Sequence, residues 1–280
     1  MTHGSHEGEA RRGPVAGPRL NALTLASLAF LVVFVTIVLS LVVADLFYTN
    51  AATLRAILAS RAIRAAIRLS LITSFASLVI IVLFAVPTGY ALSRYRFPGH
   101  VVVDTIVDLP IVLPPLVMGV SLLVFFDTAV GRWIQGLGLQ FVYRVPGIIL
   151  CQFVVSASFG IRATVAAFDA VDRRLEHLAL TLGCTPFQAF RRVALPMARN
   201  GIVAGAIVAW AHAVGIFGPL MIFVGSVRMR TEVMPTTIYL ELSIGRIEVA
   251  LAVALVMLAL ATVALIAIHA LAPGRRWWSR

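Results

Sequence analysis

The sequence predicts an all-α integral membrane protein with six transmembrane helices. The chain is 60% hydrophobic and only 12% charged, about half the charged fraction of a soluble domain. Six apolar runs are each long enough to cross a hydrocarbon layer, which takes about 20 residues. All 23 basic residues are Arg, and most of them stand in short stretches between those runs.

Residues 1–20 open with the polar, Gly- and Pro-rich "MTHGSHEGEARRGPVAGPR" and are expected to form a disordered tail. His3 and His6 belong to that tail and read as no metal pair. The transmembrane domain is expected over 21–272, with spans near 22–44, 68–92, 105–126, 146–168, 201–224 and 248–270. The first run is too long for a signal-peptide core and lacks a small-residue cleavage site, so it reads as a retained span. Residues 273–280 form a second tail, where Trp277 and Trp278 beside Arg275 and Arg276 suit an interfacial anchor.

Six spans put both ends on one side. The two tails and the loops 93–104 and 169–200 hold thirteen Arg, against nine in the opposite loops. Positive residues collect on the cytoplasmic side, so both termini are expected there. In the segment 51–68, "AATLRAILASRAIRAAIR", Arg61, Arg64 and Arg68 share one helical face. It reads as an outer amphipathic helix leading into the second span, either a plain interfacial helix or a contact for an incoming anion or its carrier.

Two spans carry helix breakers. "DLPIVLPPLVMGV" contains Pro110, Pro114, Pro115 and Gly119, and "GIFGPLMIFVG" contains Gly215, Gly218 and Pro219. In lipid, broken helix is tolerated only where protein or a water-lined cavity covers it. These seven residues are therefore candidates for a translocation path or gate, the alternative being a simple proline kink. Gly201 and Gly205 form a small-xxx-small pair that permits close helix contact.

Several chemistries are disfavoured. With no Lys, the chain has neither the phosphate-reaching Lys of a P-loop nor a Schiff-base amine. Cys151 and Cys184 give no zinc spacing and no disulfide framework. Asp45, Asp104, Asp108, Asp127, Asp169 and Glu248 are placed at or near span ends, and Arg162 within snorkelling reach of the inner interface. His212 is the best candidate for a buried ionisable group. A proton-driven carrier needs intramembrane carboxylates or His relays, and none is legible. No hydrolase arrangement, metal site, cofactor or nucleic-acid role is expected.

The stretch "HLALTLGCTPFQAFRRVALP", residues 177–196, is neither apolar enough to span nor polar enough to be a linker. Residues 172–182 read as a short helix with Leu175, Leu178, Ala179 and Leu182 on one face, ended by Gly183. Thr185 is a good N-cap, Pro186 fits the first helical position, and Gln188 completes a capping box. Phe187, Phe190 and Val193 follow at three-residue steps, with Arg191 and Arg192 projecting elsewhere. Pro196 is expected to end the element. By pattern alone, this is a docking element or an amphipathic pair resting on the membrane.

These residues resemble the cytoplasmic "EAA" loop of ABC importer permeases. Gly183 matches its Gly, Leu195 and Pro196 its final L-P, and Ala179 its second Ala, while Val193 fills the aliphatic place one step off. His177 stands where the Glu is usual, with Glu176 adjacent but out of register. "DLPIVLPPLVMGVSLL", "AVGIFGPLMIFVG" and "TEVMPTTIYLELSIGRIEVALAVAL" are similar to segments of the molybdate/sulfate-type permeases, with Ile216 replacing a usual Glu. The resemblance implies a type I ABC importer permease whose coupling-helix loop lies between the fourth and fifth spans. It implies as partners a cytoplasmic ABC ATPase dimer, a periplasmic or extracellular substrate-binding protein and a second permease subunit, taken as a homodimer. The implied coupling residues are His177, Ala179, Gly183, Thr185, Pro186, Phe187, Phe190, Arg191, Leu195 and Pro196. The substrate would be an oxyanion, molybdate or tungstate before sulfate. The alternatives are iron or a small organic solute, or a passive channel or structural membrane protein.

Overall fold

A computed structural model of the chain describes residues 22–49, 54, 55, 57 and 59–271. The expected tails, with His3, His6, Trp277 and Trp278, lie outside the described residues. Among the described residues all regular structure is helical. The chain divides into two units, Met1–Phe47 and Tyr48–Arg280. The first is dominated by α1 (Ala22–Tyr48), an apolar helix long enough to cross a membrane.

The second unit is built on α2 (Arg61–Arg94), α6 (Val145–Asp169) and α9 (Leu195–Gly215). Apolar side chains gain nothing by leaving lipid for each other, so membrane helices associate through close packing of small residues and interhelical hydrogen bonds. That is what these helices do. Ser70, Thr73, Ser74 and Ser77 of α2 are buried, as are Gln152, Ser156, Ser158 and Thr164 of α6. Gln152 joins all three helices: its Oε1 lies 3.0 Å from Ser77 Oγ, and its Nε2 donates to the Ala213 carbonyl at 3.2 Å. Trp210 Nε1 of α9 donates to Ser74 Oγ at 3.0 Å. A Cβ placed on Gly205 would lie 2.3 Å from Ala163 Cβ, and one on Gly201 2.6 Å from Ala167 Cβ. The small pair legible in the sequence is thus where α9 approaches α6.

Three expectations need correction. The third span is broken into α3 (His100–Val112) and α4 (Pro115–Asp127), whose axes differ by 113°. Pro114 and Pro115 withhold consecutive backbone donors, and Pro115 instead starts the second helix. Each half has 13 residues, about 20 Å of rise, which is short of the roughly 30 Å hydrocarbon thickness. Among the described residues there are therefore five helices long and apolar enough to span, or up to six if the bent pair counts as one. The fifth run also stops early: α9 ends at Gly215, and a short α10 (Gly218–Phe223) follows. Pro196, expected to end an element, stands within the first two positions of α9.

The basic segment, expected as an outer amphipathic helix leading into the second span, is from Arg61 onward the first two turns of α2, with Arg61, Arg64 and Arg68 exposed. After α4 come α5 (Ala129–Gly136) and, beyond α6, α7 (Arg173–Thr181) and α8 (Pro186–Ala189). The chain closes with α11 (Met234–Ser243) and α12 (Ile247–Leu271).

Candidate functional site

The α7–α8 element is built by local chemistry. Asp172 caps α7 by accepting from the Arg174 N–H at 2.9 Å. The helix ends on Gly183 at φ +90°, where the Gly183 N–H donates to the Leu180 carbonyl and the Cys184 N–H to the Ala179 carbonyl, each at 3.0 Å. Only Gly takes that backbone conformation without steric cost, and the bond pair satisfies carbonyls left open at the helix end. Thr185 and Gln188 form the expected capping box, with bonds of 3.3 and 3.0 Å, and Pro186 stands at the start of α8.

Two anchors fix the element to the body. The carboxylate of Glu176, buried and expected out of register, accepts from Arg94 Nε at 2.7 Å and from the Tyr90 hydroxyl at 2.7 Å. Arg94 Nη2 also donates to the Val171 carbonyl at 3.0 Å, Ser93 Oγ to Asp169 at 2.5 Å, and Arg173 to the Ser93 carbonyl. The second anchor is Phe190, whose ring packs 4.7 Å from that of Tyr90 and 6.1 Å from that of Phe168. Ala179 and Ala189 are buried beneath.

What faces outward is apolar. Leu178, Leu182 and Phe187 are 57%, 85% and 68% exposed. The expected α7 face of Leu175, Leu178, Ala179 and Leu182 is therefore split: Glu176 and Ala179 point in, and the leucines point out. Arg173, Arg174, His177, Arg191 and Arg192 are also exposed, so the apolar surface has a basic rim. A cleft of about 300 Å³ between α2, α7 and α8 is lined by residues including Tyr90, Arg94, Arg173, His177, Leu180 and Pro186. The π turn Phe190–Ala194 leads from α8 into α9, with Leu195 N–H reaching back to the Phe190 carbonyl. Leu195 and Pro196 thus open α9 directly after that turn.

The residues expected to form a path come together only in part. A Cβ on Gly119 would lie 2.8 Å from Pro219 Cα, and one on Gly218 would lie 3.0 Å from Leu116 Cδ2. The α4 and α10 breaks therefore touch, backbone against backbone. Pro110 lies inside α3, which buries none of its residues within the chain, and Gly215 stands at the open end of α9. Sequence reasoning missed one in-span cluster. Arg162 of α6 donates from Nη1 to Asp104 Oδ1 at 2.6 Å, from Nη2 to the Asp104 carbonyl at 2.8 Å, and from Nε to Asp108. Asp104 and Asp108 are one turn apart on α3, and that i, i+4 spacing was the available signal. Arg162 is thus ion-paired, contrary to the snorkelling expected of it, while His212 is half-buried with its ring 4.3 Å from that of Phe159.

Residues 85–277 match the family described as binding-protein-dependent transport system inner membrane component. The chain belongs to this family. It is 41% identical over 157 residues to the molybdate/tungstate transport system permease protein WtpB of Thermococcus kodakarensis, covering 56% of this chain and 59% of that protein. It thus spans less than two thirds of the length of the first relatives it matches. It is 35% identical to a probable molybdenum ABC transporter permease protein of Haloferax volcanii, covering 72% and 73% of the two chains. To the sulfate transport system permease protein CysT of Escherichia coli it is 29% identical, covering 89% and 92%. Among solved structures, it matches a chain of a bacterial alginate ABC transporter with TM-score 0.69 at 21% identity, covering 89% and 91%. It matches a chain of the MetNI methionine ABC transporter with TM-score 0.61 at 21% identity, covering 77% and 95%. At such identities the structural likeness speaks for the fold, that of type I ABC transporter permeases. This binding-protein-dependent transport component is accordingly a multi-pass membrane protein and a transport subunit.

Proposed function

We propose that the chain is the permease subunit of an ABC importer for a tetrahedral oxyanion, molybdate or tungstate first and sulfate second. Residues 173–196 couple it to a separate cytoplasmic ATPase dimer, a substrate-binding protein delivers the anion from outside, and a second copy of the permease completes the path. Both termini then lie in the cytoplasm. The substrate class rests on the names of its relatives, and the coupling role rests on one structural observation. The α7–α8 element is anchored by Glu176 and Phe190, yet presents Leu178, Leu182 and Phe187 bare. A rigid, apolar, basic-rimmed projection of this kind fits an apolar groove with an acidic border on a partner. The geometry also suggests how motion is transmitted, because α8 runs through the π turn into α9, and α9 packs along α6 on Gly201 and Gly205.

The test is Phe187→Asp in the full chain. Burying that carboxylate in an apolar groove without a partner is costly, so capture of the ATPase from detergent extracts is expected to fall by at least about tenfold. Yield in the membrane fraction is expected to stay unchanged, since the ring faces away from the body. Normal ATPase capture by this variant refutes the docking role.

A further inference from the structure

A second cleft lies at the far end of α2. Arg68 is 26 residues before Arg94, about 39 Å along the helix, so this cleft is remote from the α7–α8 element. It has a volume of about 200 Å³ and is lined by residues including Arg68, Leu69, Ile72, Met229, Arg230 and Glu232. Its outer wall is the loop between α10 and α11. That loop is held stiffly, for the N–H groups of Arg230, Thr231 and Glu232 converge on the Val227 carbonyl at 3.0, 3.0 and 3.1 Å. Met229 takes a left-handed φ of +64°, which costs a bulky side chain energy and marks a constrained position.

The polar groups of the cleft are unmatched. Glu232 is 3% exposed, and its Oε2 has no hydrogen-bond partner among the described residues. A buried carboxylate oxygen with nothing to bond is costly and marks a place where a donor or an acceptor is missing. The side chains of Arg68 and Arg230 are exposed and, among the described residues, make no hydrogen bond or ion pair, whereas the neighbouring Arg228 is paired with Glu241. Two free guanidinium groups lining the same cleft as one buried carboxyl suit an anion rich in acceptors. Burial pushes the Glu232 carboxyl above the usual carboxylate range. Nearby Glu241 pushes the same way, while Thr237 and Arg228 oppose it. In its protonated form Glu232 is a donor.

We propose that this cleft binds a tetrahedral oxyanion at the mouth opposite the coupling element, with Arg68 and Arg230 holding its charge and Glu232 donating a hydrogen bond to it. The inference rests on the oxyanion reading above and adds a site to it. Binding then weakens as pH rises, because ionisation of Glu232 removes the donor and adds a like charge beside the ligand.

The probe is sodium molybdate, measured by equilibrium dialysis against the full chain in neutral-lipid nanodiscs at about pH 5 and about pH 8. Arg68→Gln and Arg230→Gln are each expected to weaken binding by about tenfold or more. Glu232→Gln keeps a neutral donor, so it is expected to bind and to lose the pH dependence. Arg144→Gln, an exposed Arg outside the cleft, serves as the unchanged control. Wild-type binding in the Arg68→Gln/Arg230→Gln double variant overturns the site, as does wild-type affinity that does not fall with pH. Oxyanion uptake by the assembled wild-type transporter separates the two readings. If uptake persists while the cleft variants bind normally, only the cleft is wrong, whereas no uptake of any oxyanion refutes the transport reading.

Discussion

Glu176 secures α7 more than its neighbour His177 does. Both Glu176 oxygens are engaged, one by Arg94 and the other by Tyr90, and the Arg94–Glu176 side chains are 7% and 9% exposed. Removing one member of a buried, hydrogen-bonded ion pair costs about 3–5 kcal/mol, because it strands the other charge. Glu176→Ala is therefore expected to release α7, so that limited trypsin digestion cuts after Arg173 and Arg174 well before wild type is cut. His177→Ala, which removes an exposed ring, is expected to digest like wild type. Equal digestion of Glu176→Ala and wild type contradicts the anchor. Counting back from Gly183 places His177 in the acidic position of the loop pattern, and the structure puts the working carboxylate one residue earlier. Linear spacing could not reveal this, since the partners of Glu176 lie 82 and 86 residues away. The turn itself was fully legible. Gly183 and the Thr185–Gln188 capping box depend on neighbours within five residues, and both form as read.

At the scale of elements, hydropathy located the long helices and prolines located the breaks, because both properties are carried by contiguous residues. The 113° turn between α3 and α4 was not legible. Consecutive prolines at 114 and 115 dictate that a helix stops, while the direction in which the next one leaves is set by what α4 packs on, namely Pro219 of α10. Pro196 shows the same limit. A proline usually ends a helix, but here it follows a π turn, where the ladder is already widened and its missing N–H falls within the opening turn of α9. The contact between α6 and α9 gives a sharp prediction. The 2.3 Å approach of a Gly205 Cβ to Ala163 Cβ leaves no room for a methyl group. Gly205→Ala is expected to destabilise the chain by about 1–3 kcal/mol. Ala163→Gly in the same chain is expected to restore part of that loss, a coupling that independent sites do not show. Thermal unfolding in detergent measures all four members of the cycle, and additive losses contradict the packing.

At the scale of the whole molecule, the arrangement explains why so few charges lie within the spans. Arg162 is compensated by Asp104 and Asp108 across α3 and α6, and among the described residues the buried carboxylates lie toward the two ends of α2: Glu176 at one, and Glu232 with its neighbour Glu241 at the other. The body is thus polar toward both ends of α2 and nearly neutral between them, and under the proposed function the driving force is applied from one side, that of α7 and α8. That side is testable with the chain's own chemistry. Its two cysteines are both free. Cys151 is 0% exposed within α6, and Cys184 is partly exposed in the turn joining α7 to α8. A membrane-impermeant maleimide therefore reports on the docking turn alone, since only a reachable thiol forms the reactive thiolate at the reagent. In sealed right-side-out vesicles the chain is expected to stay unlabelled until the membrane is opened, and Cys184→Ser is expected to abolish labelling under both conditions. Inverted vesicles are expected to label at once. Labelling of Cys184 in intact right-side-out vesicles would place α7 and α8 outside, beyond reach of any cytoplasmic ATPase, and would reverse the positions of the two clefts.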